Sequence, residues 1–315
     1  MAPAGGPHPV TSPPQPRPRS SRSELAGIAL VLGACACFSA LDTTTKAVSP
    51  FVPLLMALWF RYAFQAVATT AIVLPWRGWG VLRTRHLPFQ CLRGLLLLTS
   101  SLLAFLSLRY MPVGEFTAIV MMAPLAVTLL AATVLKEHVS AVRWTLVAGG
   151  FAGTLVIIRP GGESFSWAML LPLGLVVSNA WFQVLTSRLA RTEDPVTMHL
   201  YTGWVGTLLA SLALPFVWTS LGSGWHWAGL CFMGLAATVG HFMLILAFRN
   251  ASASTLTPYL YSQIGFAMLG GWLAFNHVPD GWSLLGMALI AACGAAGAWV
   301  TVRESRAPAL QTAKA

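Results

Sequence analysis

The chain has 315 residues, of which 56% are hydrophobic and only 9% charged, with a formal net charge of +10 and a mean hydropathy of +0.70. That leaves too little polar surface to clothe a soluble globule, so a polytopic membrane bundle is the remaining class. The basic residues gather at the ends of apolar runs and in the two tails rather than in one patch, which argues for membrane orientation and against nucleic acid as a partner.

Residues 1–22 are rich in Pro, Ser and Arg with nothing to bury, and read as a disordered cytoplasmic tail. Ten apolar segments follow, each near the twenty residues that span a hydrocarbon core of about 30 Å: Leu25–Ala47, Pro53–Leu74, Phe89–Leu108, Gly114–Leu135, Val142–Ile158, Phe165–Arg188, Thr197–Val217, Trp227–Phe248, Ala253–Phe275 and Trp282–Val302. With a cytoplasmic amino terminus, about fifteen of the nineteen Lys and Arg fall at cytoplasmic ends, so both termini are expected inside. Residues 303–315 are then a second cytoplasmic tail. All five cysteines lie in apolar segments; Cys35 and Cys37 are two apart on a helix and point different ways, which reads as packing rather than a metal pair.

Shifting the chain by 140 positions, the distance from Cys91 to Cys231, superposes two hairpins without a gap. Gly94 meets Gly234, Arg109 meets Arg249 and Thr117 meets Thr257. Apolar segments share residues by chance, so the stronger sign is the unbroken register of spans, links and flanking arginines. Two related halves are expected, at residues 23–160 and 161–302. Five spans per half is odd, so the second copy must be inverted relative to the first, with a seam near mid-membrane. Gly149 and Gly153, and Gly270 and Gly271, would let helices approach closely.

Several residues carry a resemblance to a known family. They are Asp42 and Lys46 closing the first span, Arg61 in the second, LRYMPVGEFTAIVMMAPL entering the fourth, LKEHVSAVRW after it, GFAGTLVIIRPG ending the half, and TPYLYSQIGFAMLGGWLAF in the ninth. Over roughly Ser23 to Val302 the chain resembles the drug/metabolite transporter superfamily, specifically bacterial carriers with two EamA-type repeats. The resemblance implies a ten-helix carrier of the inner membrane, whose central cavity is lined mostly by helices 1 to 4 and 6 to 9. One departure stands out. The family commonly places Gly-Glu after the ninth helix, where this chain has Asn276 and His277, while Glu137 keeps the acid of the first copy.

An ionisable group at the bilayer centre costs about 2.5 to 3.5 kcal/mol on insertion scales, so each asks for a partner or a cavity. Asp42 lies about 7 Å, and Arg61 about 12 Å, from the outer ends of adjacent antiparallel helices, so the two are expected to meet. They are either a structural ion pair, with Lys46 a second cation one turn from Asp42, or part of a substrate or proton site. Asn179 and Gln183 share one helix face, as do Tyr259, Ser262, Gln263 and Phe266. Such amides and phenols need hydrogen-bond partners, which a wet cavity or an interhelical clamp would supply.

The substrate-binding candidates are therefore Asp42, Arg61, Asn179, Gln183, Tyr259 and Gln263. Candidates for proton coupling are Asp42, Glu115 and His241, although Glu115 also suits the positive end of a helix dipole and His241 a core hydrogen bond. Pro124 predicts a kink in the fourth span, while Pro258 falls in the first turns of the ninth. The expected function is alternating-access transport of a small organic metabolite such as an amino acid or a vitamin-like heterocycle, with no cofactor. Its partners would be that small-molecule substrate and the lipid bilayer, and a homodimer is compatible. The rival is an intramembrane enzyme acting on lipid or prenyl substrates, but Asp42, Asp194 and Asp280 are the only aspartates and lie far apart in sequence.

Overall fold

The structure is a computed structural model, and it describes residues 21–133, 140–160, 166–189, 192–250, 256 and 259–312. Every regular element among these is helical: α1 (Ser21–Val48), α2 (Leu54–Arg77), α3 (Leu87–Tyr110), α4 (Val113–Val120), α5 (Ala123–Thr133), α6 (Ala141–Ile158), α7 (Leu171–Leu189), α8 (Pro195–Val217), α9 (Gly224–Asn250), α10 (Ser262–Phe275) and α11 (Gly281–Thr312). Among the described residues eight helices are long and apolar enough to cross a membrane, and two shorter apolar stretches, Val113–Val127 and Ser262–Phe275, stand where the fourth and ninth spans were expected. Trp76 and Trp79 at one end, and Trp167, Trp225 and Trp282 at the other, are exposed as in the aromatic belts of a bilayer. The protein is a multi-pass membrane protein.

The kink expected at Pro124 is a break. Proline lacks an N–H, and its ring crowds the carbonyl of the residue four positions earlier, which is Val120. Helix α4 stops at that residue, a turn occupies Met121 and Met122, and α5 starts at Ala123. A turn at Tyr261, 140 positions beyond Met121, opens α10. The two interruptions thus fall about 140 residues apart, the shift that superposes the two hairpins in the sequence. Pro258 and the Lys136–Glu137–His138 link lie outside the described residues. Helix α11 runs on past the expected boundary at residue 302, through Pro308, to Thr312, with Arg303 stacked 5.5 Å from the Trp299 ring.

Helices of the first half pack mainly on helices of the second. Helix α1 lies against α9 and α10, α2 against α8 and α9, α3 against α7 and α8, α4 against α10 and α7, and α6 against α11. Exchanging each helix with its 140-residue counterpart leaves this list unchanged: α1 on α9 becomes α7 on α3, and α2 on α9 becomes α8 on α3. The α6–α11 crossing depends on glycine. A methyl group at Gly153 would lie 2.9 Å from the Gly286 carbonyl oxygen, and one at Gly286 would lie 2.6 Å from that of Gly153. Gly149 against Cys293 and Gly270 against Thr43 are close approaches of the same kind, whereas Gly271 has open space. The largest apolar core joins α3, α4, α6, α7, α10 and α11 around Phe116, Ile119, Ile157, Tyr261 and Ile290.

Candidate functional site

Asp42 and Arg61 face one cleft, whose wall is completed by Leu41, Thr45, Leu58, Ser101, Ala104, Phe105, Leu108 and, from the second half, Met233. Helix α1 carries Asp42 into it and α2 carries Arg61. The expected direct ion pair is not made; among the described residues the ion pairs are Arg77–Asp194, Arg159–Asp280 and His277–Glu115. Arg61 instead donates from Nη1 to Ser101 Oγ at 2.8 Å, packs 5.5 Å from the Tyr62 ring, and leaves a buried Nε unbonded. Tyr62 OH lies 2.7 Å from the same Ser101 oxygen, so one hydroxyl orients both groups. Asp42 has no hydrogen bond among the described residues and is left to face the cleft. A carboxylate and a guanidinium with spare bonding capacity, held apart in a low-dielectric span, can each take a polar group of a ligand.

Lys46 is not the second cation of this pair. It turns to the end of α3 and donates to the carbonyls of Leu108 and Met111, both at 2.9 Å. Arg109 returns the bond, donating from Nη2 and Nε to the Ser49 carbonyl just past α1, at 2.6 and 3.1 Å. Each cation sits at the negative end of the other's helix, where unpaired carbonyls and the dipole both favour it.

The other candidates divide. Gln183 donates from Nε2 to Asn179 Oδ1 at 2.6 Å, one turn back along α7. The Gln263 side chain is buried, and its backbone carbonyl accepts from Ser39 of α1 at 3.1 Å. The face predicted for Tyr259, Ser262, Gln263 and Phe266 is interrupted, because the turn at Tyr261 changes the register between the first of these and the rest. Tyr259 is 40% exposed, and its carbonyl lies 4.0 Å from Cys35 Sγ. Glu115 is buried at the start of α4, with one carboxylate oxygen 3.1 Å from His277 Nε2 and the other unbonded. The residue standing where the family places an acid thus partners an acid of the first half. His241 bonds through Nδ1 to the Ala237 carbonyl at 2.8 Å and packs against Phe38, the core role weighed for it, but it also lies 6.2 Å from His199.

Sequence reasoning passed over Ser101, Tyr62, Arg93 and His199. Arg93 is buried in α3 and donates from Nη2 to Thr202 Oγ1 at 2.6 Å and to the Met198 carbonyl. Counting charges by helix end places it with the cytoplasmic ones. Its position six residues inside α3 was the available signal.

These observations define a helical membrane protein with a charged cleft between its halves. Residues 25–159 match the EamA-like transporter family. The chain is 29% identical to a riboflavin transporter of Rhizobium johnstonii, over 86% of this chain and 89% of that one. It is 26% identical to an S-adenosylmethionine uptake transporter of Rickettsia conorii, over 85% and 91%. With a pseudopaline exporter of Pseudomonas aeruginosa it shares 28% over 84% and 93%. A crystal structure with 20% identity superposes with a TM-score of 0.61, covering 90% of this chain and 99% of that one, which shows a shared fold. The chain thus carries an EamA-like domain over residues 25–159 and is similar along most of its length to bacterial transporters of small molecules.

Proposed function

We propose that the protein moves a metabolite bearing a nitrogen heterocycle and a charged or polar tail by alternating access, and that its ten spans form two inverted five-helix repeats with both termini in the bacterial cytoplasm. The observation that carries this is the cleft in which Asp42 and Arg61 stand unpaired between walls from both halves. Matching breaks before Ala123 and Ser262 support it, since interrupted spans in corresponding positions of two halves mark the binding seam of repeat-built carriers. The packing list that maps onto itself under repeat exchange supports a two-fold relation between the halves. The first copy spans residues 23–160 and the second 161–302, with the Asp194 end of the bundle cytoplasmic by the positive-inside rule.

Relatives named for riboflavin and S-adenosylmethionine transport handle fused nitrogen rings on a polar chain. Asp42 and Arg61 suit the charged or polar end of such a molecule. The cleft encloses ≈ 260 Å³ even counting space open to solvent, below the roughly 300 to 1,000 Å³ of a typical small-ligand site. Binding therefore requires helices to part, as alternating access does. Uptake and efflux of radiolabelled riboflavin, S-adenosylmethionine and an amino-acid panel in proteoliposomes test this. Movement of at least one heterocyclic metabolite, lost in Asp42→Asn, is expected. Movement of none, by protein that binds none, would overturn the substrate class.

A further inference from the structure

Arg61 and Arg93 share an unusual description. Each donates to one hydroxyl, Ser101 at 2.8 Å and Thr202 at 2.6 Å. Each guanidinium lies near an aromatic ring, Tyr62 at 5.5 Å and Phe182 at 5.3 Å. Each keeps a buried, unbonded Nε, and neither has a carboxylate partner among the described residues. Gln90 lies on the Arg93 face of α3, three residues earlier, and is fully buried with neither amide atom bonded. Unused donors this deep in a membrane protein call for a ligand.

The duplication relates the two surroundings. Moving residues of the Asp42–Arg61 cleft by 140 positions carries Asp42 to Phe182, Leu58 to Met198 and Ser101 to His241, and carries Met233 back to Arg93; Tyr62, which packs on Arg61 behind the wall, goes to Thr202. Phe182, Met198 and Thr202 are the groups that surround Arg93, and the His241 ring lies 6.2 Å from that of His199, the residue after Met198. Arg93 therefore occupies, in the second copy of the cleft, the place that Met233 holds in the first. The two arginines are not sequence counterparts, since Arg61 maps to Tyr201. The two cations thus stand on different helices, α2 and α3, in surroundings that the 140-residue shift relates.

We propose that Arg93, with Thr202, Gln90 and His241, forms a second substrate site for a carboxylate or phosphate group, the inverted mate of the Asp42–Arg61 cleft toward the Asp194 end. The proposal rests on the inverted-repeat reading given above. A planar guanidinium with free N–H groups fits either anion in a forked, charge-assisted contact. The copies differ in one decisive residue. Asp42 competes with a ligand anion for Arg61, whereas its counterpart Phe182 does not compete for Arg93, so the second site holds the anion more tightly.

Wild-type protein in oriented proteoliposomes provides the test. A membrane-impermeant, arginine-specific dicarbonyl is applied from either side, and modification is mapped by mass spectrometry with benzoate, phenyl phosphate or the neutral benzamide present. Arg93 should react from the Asp194 side and Arg61 from the other. At concentrations about ten times its Kd, at least one anion should slow modification of Arg93 about tenfold, as simple occupancy requires, while benzamide changes it less than about twofold. Protection by only one anion names the group bound. Equal effects of anion and benzamide, or an Arg93 that never reacts in the folded protein, would reduce it to a clamp between α3 and α8 while leaving the inverted repeat intact. Reaction of both arginines from the same side would instead remove the repeat reading.

Discussion

Two sets of charged side chains stand within a few turns of one another and are used in opposite ways. At the rim, Lys46 and Arg109 direct their donors to main-chain carbonyls at the ends of the helices they face. In the cleft, one turn deeper along α1, Asp42 has no hydrogen bond among the described residues and Arg61 keeps an unbonded Nε. Both sets are ionisable groups in apolar helices, so hydropathy treats them alike. What separates a structural charge from a working one is whether the fold has already satisfied it.

The sharpest way to break this contrast is to remove the cleft charges. Asp42→Asn and Arg61→Ala are each expected to lower proteoliposome transport by at least about a hundredfold, about 2.7 kcal/mol of lost interaction, while the melting temperature in detergent changes little. Transport that survives both changes would make the cleft charges structural. The rim should respond in the reverse sense. Lys46→Met and Arg109→Met each remove charged hydrogen bonds worth about 1.5 to 3 kcal/mol, so apparent stability should fall while transport per folded molecule persists. Gly153→Leu at the α6–α11 crossing should destabilise by a similar amount, about 1 to 3 kcal/mol, through overpacking against Gly286, with no direct effect on the cleft.

Smaller effects sharpen the contrast between interior and surface. His277→Ala takes the hydrogen-bond partner of buried Glu115, a loss of about 1 to 3 kcal/mol readable by thermal denaturation. Asp280 outside the bilayer gives the least. Bonds from the Ser283 backbone N–H and from Arg159 hold its carboxyl down to about 2. Because its folded value is depressed, its stabilisation is present above the unfolded value of about 4 and is lost as pH falls toward 2. At a half-exposed pair the effect is small, and Asp280→Asn should flatten a shallow slope in melting temperature across that window.

Much of the architecture was legible beforehand. Span positions follow from runs of apolar residues, and the break before Ala123 from Pro124, because both are local consequences of solvation and backbone chemistry. The pairing of Asp42 with Arg61 was legible only as proximity. Depth along two antiparallel helices places both at one level, yet rotation about each helix axis decides whether they touch, and Ser101 on a third helix claims the guanidinium. Lys46 was misread because its spacing from Asp42 was weighed without the carbonyls at the end of α3. Arg93 was missed because counting charges at helix ends ignores whether a side chain turns to water or inward.

By itself the sequence determined a helical membrane protein, since hydropathy is a property of a single dimension. Only the tertiary structure decided which polar groups are satisfied and which are left waiting. Those partners come from helices far apart in the chain: Ser39 meets the Gln263 carbonyl, Arg93 meets Thr202, and Glu115 meets His277. In a medium without water to compete, a polar group is defined by the neighbour that the fold brings to it.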